Sequence, residues 1–217
     1  MSFFEQLQHA TQKEQAGLQS IPIIQKAMAG QVTLAQYVAF LTEAYHHVKH
    51  TVPLLMACGA KLSDDKEWLR EAIAHYIEEE IGHQEWILND IAACGADAEA
   101  VRHSQPAFAT ELMVAYAYDT IARGNPIGFF GMVHVLEGTS IQLATHAADV
   151  LQQSLGLPIN AFSYLSSHGS LDLEHVDFFR ELVNKLDQEE DKASLVHCAK
   201  AVFQLYGDIF RSLETVQ

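Results

Sequence analysis

The stretch Asn160–Leu186 reads NAFSYLSSHGSLDLEHVDFFRELVNKL. Stepping about 100° per residue, Ala161, Leu165, His168, His175, Val176, Phe179, Val183 and Leu186 fall within about 60° of Asp172. The segment therefore predicts a helix with one apolar stripe, interrupted by His168, Asp172 and His175 at steps of four and three. Glu174 and Asp177 point elsewhere.

Two further segments repeat the pattern. In KEWLREAIAHYIEEEIGHQEWILNDIAACG (Lys66–Gly95), Leu69, Ile73, Tyr76, Ile87 and Ile91 lie within about 40° of Glu80, and His83 about 60° away. Glu78 and Glu79 turn toward solvent on the same reckoning, Glu79 being the reserve candidate. In NPIGFFGMVHVLEGTSIQLATHAADVL (Asn125–Leu151), Glu137 is centred among Phe130, Val133, Ile141 and Ala144. Three helices thus each break an apolar seam with carboxylate or imidazole.

Withdrawing an ionised carboxylate from water costs several kcal/mol, a large share of a domain's stability of about 5–15 kcal/mol. No Lys or Arg shares these stripes, so a metal cation is the natural counter-charge. Carboxylate plus imidazole without thiolate suits iron or manganese, with zinc chemically allowed. His168 and His175 are about 10 Å apart along the axis. Six protein ligands divide naturally between two ions, although one ion with three protein ligands also satisfies the spacing.

The rest of the chain fits a soluble helical protein. Its 217 residues carry 28 acidic and 13 basic side chains, a net charge of −15, which argues against binding a phosphate backbone. Cys58, Cys94 and Cys198 are too scattered for a disulfide framework or a Cys-rich metal site. The segment MSFFEQLQHATQKEQ lacks the pattern of a signal peptide, and no apolar run approaches the roughly 20 residues of a membrane span. A cytoplasmic location is expected, with neither nucleic acid nor membrane as partner.

Breakers at Pro22, Gly30, Gly59, Gly95, Pro106, Gly124 with Pro126, and Gly156 with Pro158 separate helices predicted at 2–16, 20–29, 33–59, 65–93, 107–123, 127–154, 160–186 and 189–214. Pro53 should kink the third. The fold class is all-α, a multi-helix bundle forming one domain over residues 1–217.

With these residues in view, the chain resembles the heme-oxygenase-like di-iron oxidases and oxygenases. Their pattern is a Glu and a His on one helix, a lone Glu on a later one, then His-x-x-x-Asp-x-x-His. The matching residues are Glu80 and His83, Glu137, and His168, Asp172 and His175. Position 76, where some members carry the first Glu, is Tyr. The resemblance implies a heme-oxygenase-like bundle and two non-heme irons per chain. It also implies dioxygen as co-substrate, oxidation of a small organic molecule, an electron donor and a homodimer. The first helices are also similar to heme oxygenase itself, but Gln15 stands where the heme-ligating His would fall and His9 is out of register. The fold is shared with thiaminase II (TenA), a metal-free hydrolase that relies on a nucleophilic Cys. That hydrolase, or a binding protein of the same fold, is the alternative reading.

Other residues have blander expectations. His46, His47 and His50 read as structural or pocket-lining, with His47 or His50 also placed where it could orient a ligand. His75, His103, His146 and His197 read as surface, and His134 lies about 60° from Glu137. Tyr76, Phe130 and Phe179 read as core residues able to wall a substrate cavity.

Overall fold

The computed structural model describes residues 1–216, apart from the side chains of residues 141, 142, 145 and 168–175. The described α-helices are α1 (Phe3–Gln19), α2 (Pro22–Met28), α3 (Leu34–Val48), α4 (Thr51–Lys61), α5 (Glu67–Glu80) and α6 (His83–Ala93). They continue with α7 (Ala98–Arg102), α8 (Phe108–Arg123), α9 (Phe130–Leu155), α10 (Ser163–Val183) and α11 (Glu189–Leu213). No strand occurs among the described residues. One apolar cluster runs from Phe3 and Leu7 on α1, through Ile87, Phe130 and Phe179, to Leu213 at the end of α11.

Local chemistry sets the helix starts. Ser2 and Glu5 form a capping box on α1, and Thr33 and Gln36 form another on α3. α8 and α10 have no such local device, since Ala107 and Phe162 occupy their N-cap positions without a side-chain bond. Buried acids from other helices supply it instead. Glu43 on α3 accepts from the Ala107 amide at 3.1 Å and from the Thr110 hydroxyl. Asp90 on α6 accepts from the amides of Ser163 (3.1 Å) and Tyr164 (2.8 Å) and from the Ser163 hydroxyl. Each carboxylate meets the positive end of a helix and satisfies orphan N–H groups there. Burial still pushes the Asp90 carboxyl above its ordinary range, against the pull of these bonds.

Two long predicted helices are each split. The one expected over 33–59 ends at Val48 and restarts at Thr51. Pro53, expected to kink it, instead sits in the first turn of α4, where a missing N–H costs nothing. The helix expected over 65–93 breaks at Ile81, which is extended, and Gly82, whose φ of 95° is left-handed. The short α7 was not expected. Its start is the sequence-local Asp97, whose side chain accepts from the Ala100 amide at 2.9 Å.

α9 packs against α10 on one side and α11 on the other. Its approach to α11 is set by Gly131, where a Cβ would meet the Ala199 amide nitrogen and the Leu195 carbonyl oxygen at 2.5 Å each. Both obstacles are backbone, so neither can rotate away. Gly131→Ala is therefore expected to lower unfolding stability by about 1–3 kcal/mol in chemical denaturation. The same change at Gly17, where an added Cβ meets nothing within 4 Å, should be neutral or stabilising.

Candidate metal centre

The break at Ile81–Gly82 makes Glu80 the last residue of α5 and His83 the first of α6. Their side chains meet, with His83 Nδ1 3.0 Å from Glu80 Oε2, at exposures of 4% and 12%. Trp86 covers the imidazole, its ring stacked at 4.0 Å. Glu79 turns the other way, to the half-exposed ring of His75 at 3.4 Å.

Glu80 faces a cavity of about 80 Å³ that Glu137, on α9, also borders. Leu54, Leu55, Phe129, Met132, Val133 and Leu136 form its apolar wall. Polar groups enter from His47, Thr51, Tyr76, Ser140, Tyr164 and Tyr206. His47 is buried and lies edge-on to Tyr206, with centroids 5.9 Å apart. It is thus a pocket-lining residue. Burial raises the Tyr206 hydroxyl beyond the ordinary phenol range, so it stays a neutral donor at physiological pH.

The remaining three candidates, His168, Asp172 and His175, belong to α10, and their side chains lie outside the described residues. Among the described residues no group of three or more His, Cys, Asp or Glu side chains is arranged to hold an ion by itself. The described half of the set, Glu80, His83 and Glu137, offers largely buried carboxylates, one of them beside an imidazole, and no thiolate. That donor chemistry fits iron. Asp90, which the sequence reading passed over, ties the His83 helix to the N-terminus of α10. Its spacing was a signal, because His83, Ile87, Asp90, Ile91 and Cys94 form one i, i+4, i+7, i+8, i+11 stripe.

Glu137 also borders a second cavity, of about 230 Å³, with Gln8, Thr11, Gln15 and His134. Phe4, Gln8, Thr11 and Gln15 are thus the residues of α1 that border this cavity, and His9 is exposed. α1 sends no imidazole inward among the described residues, and the partly buried Gln15 borders the cavity without a heme-ligating His beside it on that helix. His134 stacks on Phe179 at 5.8 Å and meets Phe4 and Phe203 edge-on. Burial lowers its pKa to about 4.

The other histidines are placed away from Glu80 and Glu137. His46 Nε2 bonds to Ser104 Oγ at 2.8 Å while its Nδ1 accepts from Lys49 at 3.1 Å. His50 Nδ1 lies 3.2 Å from the Tyr118 hydroxyl, beside a different cavity. His103, His146 and His197 are exposed. Among the cysteines, burial pushes Cys58 and Cys198 up to about 12 and Cys94 up to about 11. None borders the cavities described above, so none has the low pKa and access of a nucleophilic thiol. No helix among the described residues is long and apolar enough to cross a membrane.

Residues 38–207 match a family described as iron-containing redox enzymes. No protein of curated function matches the chain. Among solved structures it is similar to a domain of unknown function with a heme oxygenase-like fold from Shewanella denitrificans OS217. The identity is 26% and the TM-score 0.88, over 99% of this chain and 92% of that one. It is also similar to a TenA homolog from Pseudomonas syringae pv. tomato DC3000, at 12% identity and a TM-score of 0.81 over 99% and 93%. Heme oxygenase-1 from the cyanobacterium Synechocystis sp. PCC 6803, solved in complex with heme, aligns at 15% identity and 0.76 over 99% and 93%. The fold is heme oxygenase-like.

His134 makes acid stability measurable. Its folded pKa of about 4 lies below the ordinary 6.5, so the unfolded chain binds its proton more readily. Stability should rise with pH through the window from about 4 to 6.5 and fall as pH drops through it. His134→Phe keeps an aromatic ring against Phe179 and removes the proton. Denaturation at pH 7 and pH 4.5 should show a smaller acid loss in the variant, by up to about 3 kcal/mol. His46, also lowered to about 4, leaves a residual slope.

Proposed function

The chain belongs to the iron-containing redox enzyme family, and we propose that it is a non-heme iron oxidase or oxygenase acting on a small organic molecule. Its ligands are Glu80, His83, Glu137, His168, Asp172 and His175. They hold two irons, and the co-substrate is dioxygen. The observation that supports this most directly is the largely buried Glu80–His83 contact at a helix break, with Glu137 bordering the same cavity as Glu80. Six carboxylate and imidazole groups on four helices, α5, α6, α9 and α10, divide between two ions more naturally than around one.

Iron, when bound, supplies the electrons and open coordination that dioxygen activation requires. The chain's own residues do the rest. Glu80 and Glu137 offset the charge of the cations in an interior that no Lys or Arg among the cavity lining shares. Leu54, Leu55, Met132 and Leu136 keep bulk water from the reacting end of the substrate. Tyr206 holds a proton on its hydroxyl and can donate to an oxygen of the substrate. His47, Tyr76 and Tyr164 complete the polar wall that orients it. A reductant outside the chain must renew the electrons, and a second copy of the chain completes a homodimer by family likeness.

The fold alone would also serve a thiaminase II-like hydrolase. The buried, protonated thiols away from the cavity supply no nucleophile for that chemistry, which is why the metal reading is preferred.

Metal analysis tests the proposal. Protein produced with ferrous iron should carry about two irons per chain, as expected of a dinuclear carboxylate site. Glu137→Ala and His168→Ala should lose most of that iron while keeping wild-type helicity by circular dichroism. Dioxygen consumption by the loaded wild type should exceed that of both variants. A well-folded wild type that takes up no iron sinks the reading.

A further inference from the structure

Beside the acidic cavity lies a more apolar one of about 100 Å³, bounded by α2, α3 and α9. Its walls include Ile24, Met28, Phe40, Leu143 and Leu151. Among the described residues no Lys, Arg, His, Asp or Glu lines it. Of its few polar liners, Tyr37 already donates its hydroxyl to the Ala161 carbonyl at 2.8 Å. Ser140, Tyr164 and Tyr206 border this space and the acidic one alike. The two cavities therefore adjoin, and the hydroxyl-bearing residues stand between them.

The space exists because α9 presents small side chains toward it. Thr139, Ala144 and Ala147 occupy one side of the helix where larger residues would close the gap. Protein interiors are otherwise close-packed, and an apolar void forfeits contacts that a fitting ligand restores. Such a space stays dry and takes apolar guests, because water would find too few partners in it. A charged group would enter it without compensation. At the outer end Met28 and Gln36 are only partly buried, which gives the cavity a mouth.

We infer that the substrate is an amphiphile whose uncharged hydrocarbon tail fills this second cavity, while its polar end passes Ser140, Tyr164 and Tyr206 to reach Glu80 and Glu137. The inference rests on the acidic cavity being the reacting end. It assigns to Ala144 and Ala147 the selection of tail length, a role distinct from holding metal. Oxidation then falls at or near the polar end, and the tail supplies binding energy through burial.

A binding experiment on the full chain, as purified and after iron loading, separates the two readings. The probe is the fluorescent dye N-phenyl-1-naphthylamine, displaced by 1-octanol, with 1,8-octanediol as the polar-ended control. Octanol should displace the dye and the diol should do so poorly. Ala144→Leu fills the space from α9, and Ala27→Trp fills it from the partly exposed α2, where folding tolerates bulk. Each should weaken octanol binding by about tenfold or more, with iron uptake and melting temperature near wild type. Glu137→Ala should lose iron and keep octanol binding. Absence of octanol binding, or undiminished binding in both folded variants, overturns the tail site. Normal iron uptake in that case leaves the redox reading standing. Octanol binding of the expected pattern without iron uptake overturns the redox reading and keeps the tail site.

Discussion

A carboxylate taken out of water must meet donors or a cation, and much of this bundle is arranged around that constraint. Glu43 and Asp90 meet it with the amide ends of α8 and α10, helices that lack caps of their own. Asp191, near the start of α11, meets it with Lys66 at 3.1 Å and the Asn125 amide at 2.7 Å. These acids are structural, and each fastens two distant parts of the chain. Glu80 is different in kind. Its neighbour is an imidazole, a group that ligates metals as readily as it hydrogen-bonds. Burial alone therefore does not mark a functional acid here. Glu80 is set apart by facing an imidazole at the border of a cavity, which Glu79, paired with the half-exposed His75, does not reach.

The helix breaks are part of the same arrangement. Were α5 and α6 one straight helix, Glu80 and His83 would keep ordinary i, i+3 spacing along a surface. The left-handed Gly82 instead ends one helix and starts another between them, at the edge of the cavity. Likewise, the restart after Val48 lets His47 and Val48 line the cavity from the end of α3 while Thr51, Leu54 and Leu55 line it from α4. Regular helices supply the walls, and irregular backbone at their junctions brings polar groups to them.

This division explains what could be read from the sequence. Helical periodicity revealed the all-α class and the boundaries of α8, α9 and α11 closely, because those helices are amphipathic and the first two end at Gly124 and Gly156. It also put Glu80 rather than Glu79 on the inner face, as the cavity lining does. The wheel failed where continuity was assumed. An exposed Ile81 followed by Gly82 looks like ordinary helix, and Pro53 reads as a kink until a new first turn accommodates it. Glu43 escaped notice because its helix is buried on two sides, leaving no polar face for contrast. Asp90 lay in plain view on an apolar stripe, yet its partners, the Ser163 and Tyr164 amides, are more than seventy residues away. His168, Asp172 and His175 remain an expectation from spacing and family likeness, and a proposal for the site.

α9 carries the consequences of this arrangement furthest. One side of it turns Leu136, Glu137 and Ser140 to the acidic cavity, and another turns Leu143, Ala144 and Ala147 to the apolar one. A third turns His134 and Gly138 toward α1. A rotation of the helix by one residue's arc would misplace all three sets together. Gly131 opposes such a rotation, because its backbone lies directly against that of α11 with no room for even a methyl group. Close backbone contact at one end of α9 thereby sets the register of its cavity-lining faces. The position of Glu137 at two cavities consequently depends on packing nearly two turns away as well as on its own neighbours.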